Sequence, residues 1–205
     1  MTDPNFSLLR HLSQTLGVAA VIGALGVWLT LGASPWMWGL VPVFWLIANV
    51  FEWMTHRHPM HRPLWPKMMY VSHTLVHHNA FAGDDQEIRD VTELSTVMMP
   101  WFTLLLIFAG ASPIAIAAAL VGGPALAGVF LVSAVAYFLL YETIHTLHHV
   151  PAAWLRARWW GRSRALAYLR RHHHHHHQFD RMAHVNFNVT LPLGDVLMGT
   201  LQRPG

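Results

Sequence analysis

Apolar residues gather in four long stretches, separated by polar ones. A run from about Val18 to Leu31, led in by the softer HLSQTLG, predicts a membrane span that starts near Ser13. WMWGLVPVFWLIANVFEWM (Trp36–Met54) is the second. The third runs from about Val97 to Leu120, interrupted by GASP at Gly110–Pro113, and the fourth from Pro124 to Tyr141. A helix needs roughly 20 apolar residues to cross a bilayer, so the pattern predicts four spans, at about 13–32, 36–55, 97–121 and 124–147. GASP (Gly32–Pro35) and GGP (Gly122–Pro124) leave room only for tight turns, so each pair of spans is expected to form a hairpin. The first span lacks a clean small-residue cleavage site and the second follows at once, which argues against a signal peptide.

The charges sharpen this picture. Only 11% of the residues are charged and 54% are hydrophobic, against about 25% charged in a soluble domain. All 13 Lys and Arg fall before the first span, between the second and third, or after the fourth. By the positive-inside rule that side, with both termini, is cytoplasmic. The expected fold is therefore all-α and integral to the membrane, one domain over 1–205. Its four transmembrane helices form two hairpins, and its cytoplasmic helical cap comes from 56–96 and 148–205. The pI near 9.8 is mostly arginine. No basic patch stands apart from the apolar segments, so an anionic lipid surface is the expected partner rather than nucleic acid. WLRARWWGRSRALAYLRR (Trp154–Arg171) reads either as an interfacial helix or as a helix packed on the cap. Arg in preference to Lys, with abundant Ala and Gly, points to a GC-rich bacterial source and so to an inner membrane.

Histidine then changes the question from architecture to chemistry. The chain has 17 His and no Cys, so thiolate sites are excluded and any metal must be held by His, Asp or Glu. All the histidines fall on the side that carries the basic residues. His11 stands alone; the rest form four clusters and His184. EWMTHRHPMH holds His56, His58 and His61; SHTLVHH holds His73, His77 and His78; YETIHTLHH holds His145, His148 and His149. The fourth is a run of six, His172–His177, which resembles a purification tag but lies inside the chain with structured-looking sequence after it. On a helix, residues three or four apart share a face, so His73 with His77, His145 with His149, and His173 with His176 or His177 can point together. A lone histidine is usually a surface or core residue. Neutral imidazole is, however, the commonest metal ligand, and about ten of them exceed the four that a structural zinc site uses. They suit two adjacent ions with open positions.

These boxes resemble the membrane-bound fatty acid hydroxylase/sterol desaturase superfamily, and most closely its fatty acid 2-hydroxylase branch. FEWMTHRHPMH is similar to the family's opening box at His56 and His61, and SHTLVHH to its second at His73, His77 and His78. LYETIHTLHH is similar to the Tyr–acid box at His145 and His149. LRRHHHHHHQF is similar to the box that ends H-x-x-H-H, at His173, His176 and His177. FNVTLPLGDVLMGTL looks like the closing segment, with Asp195, Gly199 and Thr200. The likeness covers about residues 45–201, in family order. Two departures stand out: three residues, rather than two, separate His73 from His77, and LGD replaces an aromatic before the Asp. The resemblance implies ten metal ligands at these positions, holding two Fe ions that Zn can replace in a preparation. It implies O2 and an external electron donor such as a cytochrome or ferredoxin, and oxidation of a C–H bond in a membrane lipid. His174 and His175 are expected to be incidental, with His58, His148, His172 and His184 as supporting candidates.

Three carboxylates are candidates to support the ligands. Glu52, a turn before His56, and Glu142, near His145, are each expected to orient an imidazole N–H; an ion pair with Arg57 or a tail Arg is the alternative. Asp195 reads as a helix N-cap before VLMGTL, or else as a partner of a ligand. Phe51, Trp53 and Phe138 are candidates to line an acyl channel, or ordinary packing residues. The acidic loop Asn79–Asp90 reads as a solvated face, with docking of an electron donor as the alternative. The favoured function is an O2-dependent dimetal hydroxylase of fatty-acyl chains. The rivals are a carotenoid or sterol hydroxylase or desaturase, a His-rich metal-binding or transport protein, and a structural membrane protein. Transport would call for polar residues inside the spans, which have almost none.

Overall fold

The computed structural model describes residues 3–82 and 86–203. Among these every regular element is helical. By packing, the chain divides into two compact units. One comprises Phe6–Ala48 and Met99–Leu140; the other comprises Met1–Asn5, Asn49–Met98 and Tyr141–Gly205.

The first unit is built from apolar helices. Ser7 caps α1 (Leu8–Leu29), its hydroxyl accepting Arg10 N–H at 3.4 Å. The polar residues of HLSQ are therefore already helical, and the helix begins at Leu8. A short helix, Pro35–Trp38, precedes α2 (Val41–Thr55). The longest element, α3 (Trp101–His149), passes through the GASP at Gly110–Pro113 without a break, with Ser112 Oγ donating to Ala109 O at 2.7 Å. Its kink falls instead at Gly122 and Gly123. Gly123 has φ 72, a conformation that costs residues with a Cβ. The residues on either side fold back on each other. Ala118 shares a core with Leu126, Val129 and Phe130, and Leu104 shares another with Val135 and Phe138. Phe138 is thus a core side chain of this unit.

Among the described residues three helices are long and apolar enough to cross a membrane: Leu8–Gly32, Pro35–Met60 and Val91–His149. The last contains both stretches from which the sequence predicts separate spans, with the Gly122–Gly123 kink between them.

The second unit carries the polar chemistry. After α2 the chain winds into a π-helical turn, His56–Met60. It continues through Lys67–Tyr70 into a second π-helical turn, Val71–His77. The end of α3 follows, then Ala152–Arg156, α4 (Arg164–His176) and α5 (Leu193–Leu197). Trp154–Arg171 is not the single helix that its pattern suggests. The chain doubles back at Gly161, where a Cβ would lie 2.1 Å from Leu155 O. Arg158 stacks over Trp154, 3.2 Å from the ring centroid, while Trp159 stays exposed. Nor is the acidic loop wholly solvated. Asp84 and Asp85 lie outside the described residues, but Gln86 is buried, and Glu87 accepts from Ala152 N–H at 2.8 Å and pairs with Arg170 at 3.2 Å.

In the apolar unit α1 passes close to α3. A Cβ on Gly128 would sit 2.7 Å from Gly26 O and 2.8 Å from Leu29 Cβ, whereas one on Gly17 meets nothing. Overpacking such a contact costs about 1–3 kcal/mol. Gly128→Leu is expected to lower the thermal unfolding midpoint in detergent, and Gly17→Leu to leave it within error.

Candidate metal centre

One face of α2 builds the floor of the site. Asn49, Glu52, Trp53 and His56 fall at helical spacing, and the first three bind the closing segment, residues 187–200. Asn49 Nδ2 donates to Leu191 O at 2.7 Å, and its Oδ1 accepts Gly194 N–H at 2.7 Å. Glu52 accepts Thr190 N–H at 3.1 Å and the Thr190 hydroxyl at 2.7 Å, and also takes Val189 N–H. Trp53 Nε1 donates to Thr200 Oγ1 at 2.8 Å. Gly194 permits this approach, since a Cβ there would lie 2.6 Å from Asn188 Oδ1 and 2.9 Å from Trp53 Cβ. The segment held in this way offers Phe187 O to His56 Nδ1 and Val185 O, just before it, to His176 Nδ1 at 2.9 Å.

The π-helical turns explain which histidines meet. In such a turn the N–H of residue i+5 bonds back to residue i, as His78 N–H does to His73 O. His56 and His61 are five apart, as are His73 and His78. Each pair falls in one group: His56, His61, His73, His78 and His176, with one ring nitrogen from each lying within 4.8 Å of all the others. His77, His145, His149 and His173 form a second group by the same measure. His177 adjoins it, with Nε2 3.1 Å from His77 Nε2 and 3.0 Å from His173 Nε2. The groups abut: His78 stacks on His177 at 4.1 Å and His73 on His77 at 5.1 Å between centroids. The structure thus brings together all ten histidines singled out in the sequence, and all are buried. The expected helical pairs sort in two ways. His145 and His149 share the second group and His173 meets His177 there, whereas His73 and His77, though stacked, fall in different groups, as do His173 and His176.

The hydrogen atoms decide what these rings can do. Thr74 Oγ1 donates to Met60 O at 2.6 Å, so toward His61 Nδ1, at 3.1 Å, it can only accept. The Nδ1 atoms of His77 and His149 face Thr96 O at 3.0 Å and Gln86 O at 2.9 Å. A carbonyl only accepts, so each Nδ1 carries the proton and each Nε2 of a neutral ring presents a bare lone pair. Two such lone pairs, on His61 and His176, face each other at 3.0 Å. His56 and His73 Nε2 approach to 2.7 Å, and His149 and His173 Nε2 to 3.1 Å. Protonation does not relieve the crowding. Burial, reinforced by the neighbouring imidazoles, pushes His61 down to about 2 and holds His73, His78, His173, His176 and His177 well below the usual imidazole range. Burial also takes His77 down to about 3, against its bond to Thr96. A cation does relieve it. Nitrogens about 2.0–2.1 Å from one ion lie about 3.0–3.4 Å apart, close to the spacings here. The donor set is all imidazole, which suits iron, zinc, copper or nickel.

The six-histidine run divides by helix face. His173, His176 and His177 enter the groups. His172 Nε2 bonds Asp195 Oδ2 at 3.2 Å, His174 Nε2 donates to His148 O at 2.9 Å, and His175 Nε2 meets Gln202 Oε1 at 3.0 Å. His148 donates to Val189 O at 3.0 Å, so His148 and Glu52 grip the same stretch of the closing segment. His58 packs its edge on Trp53, His184 is exposed, and His11 lies beside Thr15 in the apolar unit.

Glu52 binds the loop described above, and Arg57 lies over the Trp53 and Phe187 rings. Glu142 is buried in α3, three residues before His145. Asp195 is not an N-cap, since Pro192 occupies that position. Its carboxylate accepts from Phe187 N–H at 2.8 Å, Asn188 N–H at 2.9 Å and Thr200 Oγ1 at 2.7 Å, and it bonds His172. Asp195 therefore reaches His56 through the Phe187 peptide. Asn49, Thr74 and Gln86 went unnoticed in the sequence. A polar Asn in an apolar span was a signal for the first; the other two act through a hydroxyl and a main-chain carbonyl, which carry no pattern.

All-helical architecture, long apolar helices and two abutting imidazole groups define a histidine-box membrane protein. The fatty acid hydroxylase family model matches residues 41–200, and the chain belongs to the fatty acid hydroxylase family. Neither a curated protein nor a solved structure matches it.

Burial opposes the Asp195 charge, but bonds from His172, Asn188, Thr200 and Phe187 outweigh it and hold its pKa below the usual carboxylate value. The stability it contributes is therefore present above about pH 4 and lost as pH falls through the lower folded value. Asp195→Asn is expected to leave a buried N–H unpaired, at a cost of about 1–3 kcal/mol, and to flatten the acid limb of a stability–pH profile followed by thermal unfolding.

Proposed function

We propose that the chain is an O2-dependent dimetal monooxygenase that hydroxylates a membrane lipid, with a fatty-acyl chain as substrate. One observation carries the reading: bare Nε2 lone pairs face each other at cation-ligand spacing, as between His61 and His176 at 3.0 Å. His56, His61, His73, His78 and His176 would hold one ion; His77, His145, His149, His173 and His177 would hold the other. Two irons bound there would supply O2 activation and oxidation of an unactivated C–H bond, with electrons from an external donor such as a small cytochrome or ferredoxin. Zinc would also fit these nitrogens.

The chain's own residues do the positioning. Phe187 O, Thr74 Oγ1, Thr96 O, Gln86 O and Val185 O fix the tautomers of His56, His61, His77, His149 and His176. Such outer partners orient ligands and raise their basicity. Glu52 and Asp195 are positioning residues that hold the segment carrying Phe187, and Glu142 is proposed to act likewise beside His145. Burial keeps bulk water from the imidazoles. The resemblance of the boxes favours the 2-hydroxylase branch. The Gly122–Gly123 kink and the fold-back around it support four spans in two hairpins, since a helix of about 20 residues already crosses. The distribution of Lys and Arg supports a cytoplasmic site in a bacterial inner membrane.

The purified protein is expected to bind close to two metals per chain by elemental analysis. His176→Ala and His149→Ala should each lower that number, and His174→Ala with His175→Ala should not; full occupancy in both single variants would end the dimetal reading. Expression in a heterologous host, followed by lipid mass spectrometry, is expected to give O2-dependent hydroxylated acyl chains. Hydroxylated carotenoid or sterol alone would assign a different substrate.

A further inference from the structure

The closing segment has a second face that the imidazole groups do not use. Leu191, Leu193, Val196, Leu197 and Met198 are all exposed, by 44% to 61%. The only charged side chain among them in sequence, Asp195, is buried. This is not the exposure of a loosely held tail, because the inner side is bonded at nearly every position. Phe187 and Asn188 N–H go to Asp195, Val189 and Thr190 N–H to Glu52, and Gly194 N–H to Asn49. Asp195 N–H goes to Asn188 Oδ1, and the amides of Leu193, Val196, Met198, Gly199 and Thr200 find main-chain carbonyls. Pro192 has no N–H to satisfy.

Irregular backbone bathed in water does not require such thorough pairing, because water supplies the partners. In hydrocarbon it is obligatory. Asn49 and Glu52, which strap the segment down, lie within the first 20 or so residues of the candidate span Pro35–Met60, about the length that crosses the apolar core. The apolar face is thus carried by a segment bonded directly to a helix long and apolar enough to cross a membrane.

We propose that Leu191–Met198 is a re-entrant surface that lies against the hydrocarbon of the bilayer, contacted by lipid acyl chains. The argument rests on the membrane-spanning reading of Pro35–Met60 and not on the metal chemistry, so either can fail alone.

The absence of cysteine makes the test direct. Leu193→Cys, Val196→Cys and Leu197→Cys, each in the full chain, are labelled with a nitroxide in nanodiscs of phosphatidylcholine and phosphatidylglycerol. Asp180→Cys, whose parent side chain is 78% exposed, is the water-facing control. Paramagnetic relaxation by O2 and by chromium oxalate is then compared. The expected result at all three sites is strong relaxation by O2 and several-fold weaker relaxation by chromium oxalate than at residue 180. Chromium oxalate accessibility equal to the control would place the segment in water and overturn the proposal. Shielding from both reagents would mean that protein covers the face, and would overturn it equally.

Discussion

The second unit depends on the crowding of imidazole lone pairs. Nine buried rings turn nitrogens toward two small volumes, with His177 beside the second, and five of the nine are locked into the tautomer that leaves Nε2 bare. Burying polar atoms without partners costs free energy, and facing two lone pairs at 3.0 Å adds repulsion. Such an arrangement lowers its energy by taking up cations. Metal bound there would therefore link its uptake to the folding of this unit, as it does wherever a site is preformed only in the native state.

Hydrogen-bonding groups outside the two imidazole groups hold the rings in place. Glu52 and His148 grip the closing segment around Val189, and Asp195 grips it at Phe187 and Asn188. The segment hands Phe187 O to His56. A carboxylate buried beside metal ligands invites reading as a ligand or a proton carrier. Here Glu52 accepts from the Val189 and Thr190 amides and the Thr190 hydroxyl, and Asp195 accepts from the Phe187 and Asn188 amides and the Thr200 hydroxyl while bonding His172. Arg170 does the matching work with carbonyls, donating to Leu147 O and Val150 O at 2.7 and 2.6 Å, one turn before His173.

Much of this was legible in the sequence. Apolar periodicity located the long helices, because a span must be apolar over a fixed length whatever it packs against. The ten histidines could be chosen because their boxes follow a family pattern, and because within α4 the run His172–His177 must divide by helix face. The errors are as instructive. The GASP at Gly110–Pro113 stays helical, while Gly122–Gly123 does not, because only the latter adopts a positive φ. The Trp- and Arg-rich stretch 154–171 breaks because Gly161 lets the chain return onto Leu155.

The sequence by itself determined that the chain is helical, that it carries apolar spans and that its chemistry is imidazole chemistry. Each of these follows from composition or from local period. Only the tertiary structure decided which imidazoles share an ion-sized space. The reason is geometric: π-helical winding pairs residues five apart, and contacts across 100 residues or more bring His61 to His176 and His77 to His177. The same holds for Asp195, whose role as an anchor of main-chain amides exists only once the closing segment has folded against α2.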